Sequence, residues 1–430
     1  MAIKAFPEAY GWGAESVGGR GGTVYEVTNL DDSGSGSFRE AVEASGARTV
    51  VFRTGGTITL TSALNITNPY ITIAGQTAPG GGICLKGSGT WDDACLAIES
   101  HNVIVRYIRV RQGAMTDSSG SRDGIRVGSA TPGAVHDVIL DHCSISWAVD
   151  EVASFAYDPY NITVQWCIIS EGLHDSTHTS GPHSMGMLIG SDGANNISAH
   201  HNLFAHNNAR NPMIATEGIV DFVNNVIYNP GAEISWIANT YGDLPVNYVN
   251  NYIKKGGDSP VDYEIDIADP TGENTYSIYV SGNIGPNRAT DELDENLIVT
   301  PDVRSYVTTT RNTAPLVTTT SAAAAYTAVL ADAGANKTLD KDGASSDNQD
   351  SVDARVVEDV TEVTGAIIDD PSDVGGWPTL ATGTAYTDTD SDGIPDDWEN
   401  AYGLNPNDAA DGPVGSGFKH YTNLEMFLNG

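Results

Sequence analysis

The sequence predicts an all-β solenoid, a parallel β-helix of short strands, on three observations. The first is an internal repeat. The phrases VILDHCSIS (138–146), ITVQWCIIS (162–170), ISAHHNLFA (197–205) and IVDFVNNVIYN (219–229) each open on an alternating strand, reach a Cys or Asn, and return to apolar residues. The marked positions are Cys143, Cys167, Asn202, Asn225, Asn251 and Asn283, spaced by 24, 35, 23, 26 and 32 residues. A period in the twenties, stretched by insertions, means one small unit per repeat that buries its apolar face only by stacking on neighbours. The second is the alternation of Val138 with Leu140, Ile162 with Val164 and Val246 with Tyr248 in β-branched surroundings. A coil of three short strands fits this period better than a propeller blade of about 40–45 residues. The third is composition: 40% hydrophobic, 18% charged and 47 Gly in 430 residues, a turn-rich β balance. The hairpin signals every 8–12 residues or so that an antiparallel sandwich needs are missing.

In such a solenoid equivalent positions stack, so Asn over Asn and Cys over Cys form ladders that satisfy backbone groups inside the turns. The glycine cluster 18–22 (GGRGG) has neither the Lys-Ser/Thr nor the helix start of a phosphate cradle and reads as a tight turn. Ser37 before FREAV, with Glu40 at the third helical position, predicts a short helix ended by Gly46 that caps the open end. Strands follow at 49–53, 57–60, 71–74, 83–86 and 103–108. Cys84 and Cys95 flank a turn and are candidates for a bridge, whereas Cys143 and Cys167 read as stacked buried thiols. The solenoid is assigned to 1–300, a wrapping or linking segment to 301–385, and a separate tail to 386–430.

Formal net charge is −35, from 21 Lys+Arg against 56 Asp+Glu. That excludes a phosphate-binding nucleic-acid partner and an anionic membrane surface, and no apolar run approaches a membrane span. The opening MAIKAFPEAYGWG lacks a leader's apolar segment, so Met1 and Ala2 read as an added start on a mature, exported chain.

The tail carries the sharpest motif. Asp388, Asp390, Asp392, Asp396 and Glu399 occupy positions 1, 3, 5, 9 and 12 of a twelve-residue loop, with Gly393 at 6 and the Ile394 carbonyl at 7. Alternating acids converge oxygens on one calcium ion, glycine permits the sharp turn, and the final Glu binds through both oxygens. A solvated acidic linker would not need that register. Among the coils, Asp123, Asp141, Asp150 and Glu151 come from neighbouring turns and form a candidate hard-cation site, set against the plainer reading of solvated turn acids. Arg210, in HNNARNPMIA, is either an anion-holding or proton-moving group or a surface ion pair. His200 and His201, adjacent in a strand, face opposite sides and suit packing better than a metal. His174, His178 and His183 lie in a loop without a tight ligand spacing.

The order of DHCSISWAVDE (141–151), ITVQWCIIS, SAHHNLFAHNNARNPMI (198–214) and DFVNNVIYN (221–229) resembles the pectate lyases, right-handed parallel β-helices, over about residues 5–285. The opening FPEAYGWGAESVGGRGG and the tail are similar to those of secreted bacterial members. The resemblance implies a secreted, monomeric, calcium-dependent lyase whose 1–300 solenoid cleaves polygalacturonate by β-elimination. Arg210 would be the base. Asp123 and Asp150 would be calcium ligands, the third ligand position falls on Ser154 with Glu151 as substitute, and Arg122 and His183 would contact substrate. A second family Arg falls on Ala215, and the family's substrate-binding Lys has no counterpart. Those departures keep open a lyase for methylated pectin or another uronate polymer, and a non-catalytic polysaccharide-binding β-helix.

Overall fold

The structure, a computed structural model, describes residues 3–190, 193–259, 263–415 and 420–430; Met1 and Ala2, read as an added start, lie outside them. Among the described residues the chain winds into three parallel sheets of eleven, eight and eight strands, each strand pairing with its equivalent one coil away. This is a right-handed parallel β-helix.

Its interior is built from apolar columns. Ile58, Leu85, Val110, Ile145, Ile169, Phe204, Ile227 and Ile253 lie in register from coil to coil, and all are buried. Each such side chain contributes about 1.5–3 kcal/mol when removed from water. The expected ladder forms beside them. Backbone N–H of Cys167, Asn202, Asn225 and Asn251 donates to the amide oxygen of Asn202, Asn225, Asn251 and Asn283 at 2.9, 3.0, 2.9 and 2.8 Å. Cys143 N–H reaches Cys167 Sγ at 3.4 Å. The residue before each ladder position, His142, Trp166, His201, Asn224 and Asn250, has φ between 51° and 57°. That left-handed residue turns the corner, a costly conformation for non-glycine side chains. Stacking offsets the cost: Tyr107, His142, Trp166 and His201 pile up with centroids 4.9, 5.9 and 4.5 Å apart.

The predicted capping helix spans Phe38–Glu43, with Ser37 accepting from Glu40 N–H and Phe38 packing on Phe52 at 5.2 Å. In the 18–22 turn, a Cβ on Gly19 would sit 1.9 Å from the Arg48 carbonyl oxygen, so close approach requires glycine there. Two three-residue strands, Leu64–Ile66 and Leu96–Ile98, are too short to show a period and were not predicted. The suggested Cys84–Cys95 bridge is absent and both thiols are free. Cys95 belongs to the interior core, whereas Cys84 feels the charges of Arg111 and Asp350 outside it.

Residues 301–385 run along the solenoid three times. The first pass goes backward: Thr308 pairs with Tyr279, Asn312 N–H reaches Asn247, Thr320 N–H reaches Asn224, and Ala335 N–H reaches Ser144. The second goes forward through the helix Ser351–Glu362, with Asp353 on Arg111, Arg355 on Glu171 and Thr364 on Tyr228. The third returns: Ile368 accepts from His174 N–H, Trp377 packs on Trp147, and Ala381 accepts from Gly81 N–H. The helices Ala322–Asp332 and Ser351–Glu362, unforeseen from the sequence, bury Val329, Val356 and Val360 against Ile168, Leu203 and Val226. The tail then docks on the first coils through Trp398, Leu424, Phe427 and Leu428 against Ala74.

Candidate active site

One eight-stranded sheet presents the acids and the arginine. Its strands Ile125–Val127, Glu151–Phe155, Met185–Gly190 and Met213–Ala215 are stacked in order. Ile125 registers with Ala153, and Glu151 with Met185. Asp123, two residues before Ile125, therefore aligns with Glu151. Arg210 lies two coils further on, just ahead of its own strand.

Asp123, Asp150 and Glu151 bring carboxylate oxygens within 4.8 Å of one another. Asp123 is 5% exposed. Its Oδ2 accepts from the Ser154 hydroxyl, and its Oδ1 is buried with no hydrogen-bond partner. Burial, and then the charge of Asp150, raise the Asp123 carboxyl well above the usual carboxylate range. Three clustered acids, one with an orphaned buried oxygen, fit a hard oxygen-binding cation such as calcium. Asp150 is held from its other side: His183 Nε2 lies 2.8 Å and His178 Nε2 3.7 Å from its Oδ1. The two imidazoles stack with centroids 3.7 Å apart.

Arg210 has φ 59°, and its backbone is pinned on both sides, Met187 N–H donating to its carbonyl at 2.6 Å and Asn211 N–H to Ile234 at 2.7 Å. The left-handed region is a costly conformation for so long a side chain, as at the corners of the coils. The guanidinium remains partly exposed and donates from Nη1 to Glu151 Oε1.

The acids open into a groove of about 520 Å3 that also includes Asp92, Asp93, Glu99, Arg126 and Tyr157. Arg126 was missed from the sequence, although the period of two in Ile125–Val127 places it on the outer face. Asp93 and Glu99, against the opposing effect of burial, hold its guanidinium more firmly charged than usual. Tyr157 is 53% exposed, and the Arg126 guanidinium lies 6.0 Å from its ring centroid.

Other expectations are corrected. Arg122 does not face the groove. It is fully buried and donates to the carbonyls of Trp91, Ala114 and Asp117 and to the Asp117 carboxylate, shaping the loop beneath. Asp141 lies on another sheet, where it accepts from Arg106 Nε at 2.8 Å. Both forces that fix its protonation state are local: burial works against its charge, yet His142 and Arg106 hold its carboxyl below the usual range.

In the tail, Asp388, Asp390 and Asp392 form one acid group and Asp392, Glu399 and Asp411 another. Asp396 joins neither among the described residues, because its oxygens accept from the N–H and hydroxyl of Thr389 at 2.8 and 2.7 Å. Ile394 N–H donates to Asp392 Oδ1. Asp411, twelve positions beyond Glu399, was invisible to a contiguous motif.

No family model matches the chain. Two curated relatives are fungal, where the resemblance pointed to bacterial members. The probable pectate lyase C of Aspergillus flavus is 37% identical over 431 residues, covering 100% of this chain and 94% of the relative. The probable pectate lyase C of Emericella nidulans is 37% identical over 434 residues, covering 100% and 93%. Among solved structures, jun a 1, the major allergen of cedar pollen, superposes with a TM-score of 0.57 at 16% identity, over 76% of this chain and 92% of its own. The thermostable pectate lyase PL 47 does so with 0.53 at 15% identity, over 77% and 97%. At such identity the two structures bear on the fold alone. With full-length curated relatives at this identity, the chain belongs to the pectate lyase family of polysaccharide lyases.

Proposed function

We propose that the chain cleaves α-1,4-linked polygalacturonate by calcium-dependent β-elimination and releases 4,5-unsaturated oligogalacturonides. The observation that carries this reading is Arg210, held in a left-handed turn beside the acid cluster Asp123, Asp150 and Glu151 on an open groove. The names of the curated relatives point to the same substrate.

A calcium ion held by Asp123, Asp150 and Glu151, with Ser154 beside them, would supply positive charge next to a uronate carboxylate and acidify the proton on the adjacent C5. Arg210, once its guanidinium has released a proton to water, takes the C5 proton on that guanidine nitrogen; the C–H electrons form the C4–C5 double bond, the C4–O bond breaks, and the departing oxygen is protonated from water. Glu151 orients the guanidine. His183 and His178 fix Asp150 instead of contacting sugar, and Arg126 with Tyr157 offers the carboxylate contact and ring platform for a neighbouring residue of the polymer. A protein of net charge −35 repels a polyanion, so a bound cation also brings the two together. A polymeric substrate places the monomeric enzyme outside the cell.

The test is ultraviolet absorbance of the unsaturated product from polygalacturonate, with calcium and with chelator. A calcium-dependent rise that disappears in Arg210→Ala supports the reading. Turnover of methylated pectin alone assigns a different substrate, and silence on all uronate polymers removes the lyase assignment.

A further inference from the structure

The acids of the tail lie against the first coils, remote in the fold from the groove, and elimination has no use for them. Their neighbours leave them uncompensated. Among the described residues Arg53 approaches one of these acids, Asp388, at 3.9 Å, and lies nearer to Glu26, at 3.2 Å. Asp388 accepts from the backbone N–H of Ser391 and Gly393, Asp392 Oδ1 from Ile394 and Asp411 Oδ2 from Asn405. Both oxygens of Asp390, both of Glu399, Oδ2 of Asp392 and Oδ1 of Asp411 are buried with no hydrogen-bond partner. Glu399 is 0% exposed and Asp392 3%.

The backbone supports a shared purpose. Gly393 has φ +89°, the turn that brings Asp392 and Ile394 around. A Cβ on Gly412 would meet Asp392 Oδ2 at 2.1 Å, so the 411–412 strand of chain passes directly over the unpartnered oxygen. Six unmatched oxygens with no nitrogen or sulfur donor among them match a large hard cation.

We propose that this cluster binds calcium through two separate segments, the 388–399 loop and Asp411, with Asp392 as the shared ligand and Asp396 excluded. The site is therefore not the self-contained twelve-residue loop that the motif suggests. The ion clasps the 405–412 excursion to the helix Asp396–Tyr402, above the Trp398, Leu424 and Phe427 core that docks the tail on Ala74. Tail docking thereby becomes calcium-dependent, independently of the groove and of the lyase reading.

The experiment uses the full chain carrying Asp123→Asn, which removes the buried groove acid, stripped with EGTA and titrated with calcium chloride. Calorimetric uptake, thermal unfolding and trypsin cleavage of the tail are followed. The expected result is calcium uptake with a rise in unfolding temperature and protection of the tail. Adding Asp411→Asn weakens uptake at least tenfold and abolishes both effects, whereas adding Asp396→Asn leaves them intact. Should Asp411→Asn not yield folded protein, Asp390→Asn takes its place with the same expected loss. Absence of calcium-linked stabilisation, equal behaviour of Asp411→Asn and the parent, or a loss in Asp396→Asn matching that of Asp411→Asn each overturns the proposal.

Discussion

Arg210 donates to Glu151 across 59 positions of sequence and two coils of the solenoid. The contact ties the sole arginine of the 198–214 phrase to the acid cluster through one carboxylate. Arg210→Ala is expected to lower turnover of polygalacturonate roughly 10^3-fold, the range of a lost proton-transfer group. The partly exposed side chain leaves the unfolding temperature nearly unchanged. Initial rates and a thermal melt on the same preparation check both halves; a variant that loses less than tenfold in rate would place the base elsewhere.

His183→Ala tests whether the imidazole acts through Asp150. With Nε2 at 2.8 Å from Asp150 Oδ1, its removal frees a carboxylate of the cluster. The calcium concentration giving half-maximal rate should rise about 10–100-fold, the usual effect of losing such a support. The rate at saturating calcium should recover. A variant with unchanged calcium dependence and a raised KM for polymer would return His183 to direct substrate contact.

Asn225 is fully buried in mid-ladder: its Oδ1 accepts from Asn202 N–H and Nδ2, and its Nδ2 donates to the Ala199 carbonyl and to Asn251. Asn225→Ala strands those groups inside a dry wall and should cost about 2–4 kcal/mol of stability, each orphaned buried group being worth about 1–3 kcal/mol. Denaturant unfolding measures it, and a loss below 1 kcal/mol or so would mean that water enters the turn.

Acid sensitivity is expected from His201, which burial pushes down to about 4, against about 6.5 in an unfolded chain. Between those values the unfolded chain holds a proton that the folded chain does not, so stability is lost as pH falls from 6.5 toward 4. The loss for this group is on the order of 2 kcal/mol between pH 7 and 4.5. His201→Phe keeps a ring over Trp166 and removes the titration, so the difference between urea midpoints at pH 7 and pH 4.5 should shrink. An unaltered difference assigns the acid sensitivity to other groups.

The sequence disclosed the solenoid because its ladder residues are marked chemically: Asn202, Asn225 and Asn251 repeat at intervals no other requirement imposes. It disclosed Asp123, Asp150, Glu151 and Arg210 as candidates because short phrases frame them. What it concealed is contact between coils. Arg122 and Arg126 sit four residues apart with the same charge, and only the coil geometry sends one beneath a loop and the other into the groove. Asp411 escaped for a related reason, since a contiguous motif cannot register a donor returning from another segment. Of the helices of 301–385, Ala322–Asp332 was hidden because it is mostly alanine and carries little apolar pattern, whereas Ser351–Glu362 carried a readable signal in its Asp350 cap and its Val352, Val356 and Val360 face.

The three passes of residues 301–385 alter how such a molecule can come apart. A bare solenoid is a one-dimensional stack in which each coil feels only its neighbours, so its ends fray and its unfolding spreads in steps. Here Asp353 on Arg111, Arg355 on Glu171 and Thr364 on Tyr228 connect one segment to three coils, each two coils from the next. Opening any coil disturbs a strap shared with coils well beyond it. Unfolding should therefore approach all-or-none behaviour along the length of the rod. The same long-range closures must be completed before folding ends, so a slow final phase is the kinetic counterpart of that cooperativity.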